Sequence, residues 1–115
     1  MTKEISTKES FDWFMTTLGR YDNSHLKLSD DELLSIILDE LDIEAVSFLH
    51  NDTVERLIEN NLIPADIANA VDALRNKTMI LLQDKRTVDD IRNDSDWKFV
   101  RRLADQIKNK IQKVN

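Results

Sequence analysis

An all-α fold, a compact single-domain bundle of about five to seven helices over residues 1–115, is what this sequence predicts, on three observations. Gly19 and Pro64 are the only glycine and proline in the 115 residues. Sheets of this size need many turns and turns lean on those two residue types, so their scarcity favours few long elements with short polar connections. Apolar residues recur at spacings of three and four rather than two, the period of a helix with one buried face. Helix-start signals are also repeated: a hydroxyl or carboxylate residue followed three positions later by an acid. With 41% hydrophobic residues there is material for a core, and a chain of this length buries about two-thirds of the surface its unfolded form exposes.

Ser6 with Glu9 marks the first helix start, ahead of the stripe Phe11, Phe14, Met15 and Leu18. Ser29 with Glu32 opens a second helix on Leu33, Leu34, Ile37, Leu38 and Leu41, with Ile36 widening its apolar face. Short helices are expected over residues 43–50 and 53–61, the latter opened by Asp52 with Glu55. Pro64 suits a first helical position, where its missing N–H is no loss, ahead of Ile67, Val71, Leu74, Thr78, Leu81 and Leu82. Within that stretch TMILLQ, residues 78–83, has a strand-like composition but no partner strand, and is assigned to the helix. Thr87 with Asp90 opens a short helix over residues 88–93. Asp94 or Asp96 starts the last, in which Trp97, Val100, Ala104, Ile107, Ile111 and Val114 alternate spacings of three and four.

Several function classes are disfavoured at once. The chain has no cysteine, hence no disulfide, thiolate zinc site or cysteine nucleophile. The start MTKEISTKES carries no apolar run of signal-peptide type, and no stretch approaches the ~20 apolar residues of a membrane helix. A soluble cytoplasmic protein without membrane contact is expected. His25 and His50 stand alone, neither with a second histidine or a carboxylate three or four residues on, so capping or surface roles are expected and no metal site. There is no glycine-rich phosphate loop, nucleophile elbow or EF-hand spacing. No enzyme, no catalytic residue and no cofactor are predicted. The aromatic residues Trp13, Trp97, Phe11, Phe14, Phe48 and Phe99 are spread along the chain, as packing residues are.

The net charge of −6 conceals a division. Residues 22–66 hold twelve acids against Lys27 and Arg56, a net of −10, while residues 75–113 hold eleven bases against six acids, a net of +5. The extreme is SDDELLSIILDELDIE, residues 29–44, with Asp30, Asp31, Glu32, Asp39, Glu40, Asp42 and Glu44 and no base. Acids in a first turn are favoured by the helix dipole, which accounts for the first three. The other four fall toward the expected C-terminal end, where the dipole disfavours them. Each like-charged pair on adjacent turns costs roughly 0.2–0.5 kcal/mol. On a helical wheel Glu32, Asp39 and Asp42 lie opposite Leu33, Ile37 and Leu41. Two uses fit such a face: solubility, or docking a basic partner whose approach the field accelerates.

The last helix shows the converse, with Lys98, Arg102 and Lys113 opposite its apolar stripe and Arg101, Lys108 and Lys110 at the flanks. Cations suit a helix C-terminus and can pair with the acidic half. A pI near 4.8 weighs against nucleic acid as a partner. Residues 53–76 loosely suggest a helix-turn-helix, but the second helix offers no Arg or Lys before Arg75, and Asp66 and Asp72 would repel phosphate.

A small, cysteine-free, acidic, all-helical chain of this kind, with its acidic stretch 29–44 followed by Asp52, Glu55 and Glu59, resembles the bacterial immunity proteins. These are antidotes to the nuclease toxin domains of contact-dependent inhibition or colicin-type systems. The resemblance implies stoichiometric blockade, an acidic surface occupying a toxin's basic cleft as a phosphate mimic. It implies a site of Asp31, Glu32, Asp39, Asp42 and Glu44, with Glu55 and Glu59 at its edge and Tyr21 or Phe48 as an aromatic anchor. The alternative is a small helical regulator acting through a protein groove or a nucleic-acid contact of its basic C-terminal helix. A third possibility is self-association through the stripe from Trp97 to Val114.

Overall fold

The computed structural model describes residues 6–114, with side chains through residue 112. The described residues form an all-α bundle, as expected, of six helices and no strand. These are α1 (Thr7–Gly19), α2 (residues 30–48), α3 (Asn51–Glu59), α4 (Ala68–Asp84), α5 (Val88–Asn93) and α6 (Ser95–Val114). Short 3-10 turns occupy Asn23–Lys27 and Ala65–Ile67.

The starts follow the sequence with three corrections. Ser6 Oγ accepts the Glu9 N–H at 3.1 Å and Ser29 Oγ that of Glu32 at 3.3 Å, each hydroxyl donating in turn to its acid's carboxylate. Thr87 and Asp90 complete a reciprocal capping box. Asp94 opens α6, its carboxylate accepting the Asp96 N–H at 2.8 Å and a hydrogen bond from Lys85 Nζ at 2.7 Å, which holds the Asp94 carboxyl below its ordinary range. The first correction is at α3. His50, not Asp52, is its cap: Nδ1 accepts the Asp52 N–H at 3.1 Å, leaving Asp52 and Glu55 inside the helix. Second, Pro64 is extended and precedes the 3-10 turn rather than opening a helix. Third, residues 43–48 are not a separate helix but the end of α2.

Helix α2 runs unbroken from an α-helical start, Asp30–Leu34, through a π-helical segment, Ser35–Leu41, into a second α-helical stretch, Asp42–Phe48. Its buried line explains the π segment. Leu33, Ile37, Leu41, Ala45 and the following Leu49 are all buried, each four residues from the last. In a regular α-helix of 3.6 residues per turn a four-residue step overshoots by about 40°, so this line would spiral off the core. Hydrogen bonds spanning five residues widen the turn and keep the line straight.

Asn61 ends α3 in the left-handed region at φ 60. Its N–H donates to Ile58 O at 3.0 Å and the Leu62 N–H to Leu57 O at 3.0 Å, the bond pair of a Schellman motif. The connection to α4 is therefore an ordered eight-residue path, 60–67, longer than the three or four residues of a helix-turn-helix.

Helix α4 is the centre, packed against α6, α2 and α3, while α1 lies across α2, α3 and α6. The stripe of α6 from Trp97 to Ile111 is buried, which removes it as a surface for self-association. Val114, its last expected member, lies outside the described side chains. Arg101, expected at the flank, is buried, and its guanidinium donates to Ile91 O at 2.5 Å and Arg92 O at 3.3 Å. It satisfies the last carbonyls of α5 with no carboxylate beside it, and burial pulls its pKa down.

Tyr21 and Thr78 form a buried polar pair, their hydroxyls 2.6 Å apart. Thr78 Oγ1 donates to Leu74 O at 2.7 Å, which leaves Tyr21 as donor to Thr78. Burial drives the Tyr21 pKa well up. A group whose folded pKa is raised gives stability present below its unfolded pKa and lost as pH rises above it. We expect stability to fall above about pH 10, with Tyr21→Phe costing about 1 kcal/mol at neutral pH and flattening the alkaline decline. Urea denaturation at several pH values checks this.

Candidate partner-binding face

The seven acids of residues 29–44 separate into two groups. Three are engaged within the fold. Asp30 Oδ1 accepts from Arg92 Nη1 at 2.6 Å. Arg20 meets Glu40 at 3.0 Å and grips both oxygens of Glu44, at 3.1 and 3.0 Å, while the Thr17 hydroxyl, which donates to Trp13 O at 2.8 Å, lies 3.4 Å from the same carboxylate. Glu44 is only 7% exposed, so its carboxylate faces α1 and cannot meet a partner, and its place in the expected site is corrected accordingly. The hydrogen bond to Glu44 raises the Arg20 pKa, holding the guanidinium charged.

The remaining four, Asp31, Glu32, Asp39 and Asp42, are exposed and have no ion-pair partner among the described residues. Asp31 and Glu32 sit in the first turn, where the dipole favours them. Asp39 and Asp42 have no such support: α2 ends at Phe48, so they lie in mid-helix rather than at its C-terminus. Asp39 is one turn from Ile43 on the side of α2 opposite its buried line, and Asp42 is one turn from Val46 on the adjoining flank toward α4. Ile43 is 70% exposed and Val46 42%. Sequence reasoning missed both, although their offset from Leu41 and Ala45 signals an outward direction.

Asp31 and Glu32 are displaced from this centre, roughly 10–16 Å along the axis at 1.5 Å per residue. Glu55 and Glu59 are exposed on a separate helix, α3, one turn apart. Beside Asp42 a recess of about 390 Å³ opens between α2 and α4, lined also by Leu38, Met79 and Arg86, so one cation edges the face. Of the expected anchors, Tyr21 is buried and unavailable. Phe48 is half-buried under Trp13, the rings stacked with centroids 5.4 Å apart and planes within 9°. Trp13 is thus a surface aromatic rather than a core one.

The chain matches no protein-family model, no curated protein and no solved structure.

The cations of α6 are largely consumed inside the fold. Lys108 pairs with Asp22 and Asp105, Lys110 with Asp66, and Arg101 is buried. Lys98 and Arg102 are exposed with no ion pair among the described residues. They edge an open groove of about 800 Å³ between α4 and α6, floored by Ala73, Ile80 and Phe99. No three His, Asp or Glu side chains converge as metal ligands among the described residues, and no described helix is long and apolar enough to cross a membrane.

Proposed function

We propose that this protein is a binding protein that captures a basic protein partner on the outward face of α2, and that it acts as an antidote of the immunity kind against a nuclease toxin domain. The observation that carries the reading is the juxtaposition of Asp39 and Asp42, neither in an ion pair among the described residues and with only Arg86 edging the recess beside Asp42, with Ile43 at 70% exposure. Solubility alone accounts for the acids but not for a large aliphatic side chain kept in water beside them. An interface uses both: charges steer a basic partner and set its orientation, and apolar anchors supply most of the affinity. The acids of such a face occupy positions that nucleic-acid phosphates take in a nuclease cleft.

The test is a viability assay with the C-terminal domain of the adjacent reading frame, expressed with and without this protein. Killing by that domain alone, with growth restored by this protein, is the expected result. A harmless neighbour, or one that kills regardless, overturns the antidote reading. With the purified pair, Asp39→Lys together with Asp42→Lys should weaken binding at least about tenfold, near 1.4 kcal/mol, and reduce its salt dependence. A regulator working through α6 would instead lose its partner on reversal of Lys98 and Arg102. Arg101, being part of the core, cannot serve in that comparison.

A further inference from the structure

The five large hydrophobic side chains exposed on the described surface are Trp13, Ile43, Val46, Ile80 and Phe99. Trp13 is stacked on Phe48 of its own chain. The other four fall into two pairs on opposite kinds of ground. Ile43 and Val46 lie among Asp39 and Asp42 on α2. Ile80, at 55% exposure, and Phe99, at 49%, lie in the α4–α6 groove beneath Lys77, Lys98 and Arg102. Asp96, the one acid on the groove, is held by Lys77 at 3.4 Å and Lys85 at 3.3 Å, so the free charge there is positive.

We infer that the α4–α6 groove receives the α2 face of a second copy of this chain, head to tail. Charge complementarity selects this occupant. The groove offers two unanswered cations beside two exposed hydrophobics, and the chain itself carries a helix face with two unanswered acids beside two exposed hydrophobics. Within one copy the contact is precluded, because the ridge points outward from α2 while α4 and α6 form the groove. The interface is not self-complementary, so each copy keeps one open face of each kind and chains can extend. The net charge of −6 opposes association. The assembly is therefore weak, and any partner held on α2 competes with it.

Sedimentation velocity on the intact protein up to about 1 mM, the concentration range for weak contacts, tests the inference. The wild type should show concentration-dependent growth beyond a monomer. Asp39→Lys with Asp42→Lys should abolish it, leaving the groove intact, and Lys98→Glu with Arg102→Glu should abolish it, leaving the ridge intact. Mixing the two variants should restore growth, because the unaltered ridge then meets the unaltered groove and the reversed ridge meets the reversed groove, each pair opposite in charge. All four positions are exposed, and unchanged circular dichroism confirms folding. A wild type that stays monomeric, growth that survives either variant, or a mixture that stays monomeric overturns the inference. The partner reading fails separately: the groove variant leaves the antidote assay unchanged whichever way sedimentation comes out.

Discussion

Trp97→Ala is expected to lower the unfolding free energy by about 3–5 kcal/mol, the cost of removing a large buried aromatic. Trp97 is 1% exposed, and its Nε1–H donates to Lys85 O at 2.9 Å, joining the end of α4 to the first turn of α6. The substitution therefore empties core volume and orphans a carbonyl at the C-terminal end of α4. Domains of this kind have only about 5–15 kcal/mol to lose, so the variant should be folded at low temperature and unfolded well before the wild type. Urea denaturation followed by circular dichroism would show a lower midpoint with an unchanged slope. Phe99→Ala, two residues on, removes a half-exposed ring and should shift stability by no more than about 0.5 kcal/mol. An equal effect of the two would contradict the packing described for α6.

Glu44→Ala is expected to cost about 2–3 kcal/mol of stability while leaving partner affinity unchanged. Removing one member of a buried pair strands the other, and hydrogen bonds to charged groups are worth about 1.5–3 kcal/mol. The loss is kept to the lower part of the buried-pair range because Arg20 retains Glu40 at 3.0 Å and keeps a side-chain exposure of 23%. The double variant with Arg20→Met should cost less than the two single changes added together, since the guanidinium it leaves behind is then gone. This separates Glu44 from Asp39 and Asp42, which should behave oppositely: little change in stability, a large change in binding. A Glu44→Ala protein that is fully stable yet fails to bind would return Glu44 to the interface.

The fold class was legible because it depends on period and punctuation, and both survive translation into structure. Ser6, Ser29 and Thr87 mark starts by chemistry local to one turn, and the α6 stripe from Trp97 to Ile111 is buried as its spacing requires. Errors arose where a rule met competition from a neighbour. Asp52 has the spacing of a cap, but His50 offers an acceptor two residues earlier, and the N–H it accepts is that of Asp52 itself. Arg101 stands at the flank of a wheel, yet the carbonyls of Ile91 and Arg92 draw it inward, and no one-dimensional pattern holds their position. The candidate site divided for the same reason. Glu44 and Asp42 look alike in sequence, and only the placement of Arg20 just past the end of α1, twenty-four positions away from Glu44, makes one a structural brace and leaves the other in solvent.

The π-helical segment of α2 leaves a trace in the arithmetic of the chain. Leu33 and Ala45 are three turns apart and separated by twelve positions, about four residues per turn where an α-helix takes 3.6. Take one residue out and eleven positions over three turns come close to the regular value. Helix α2 thus has the accounting of an ordinary helix into which a single residue has been inserted. Such a segment can be shortened where most helices cannot. Deleting Asp39, an exposed residue within it, should close the wide turn and keep Leu33 and Ala45 on the core, at the expense of one of the two acids that face outward.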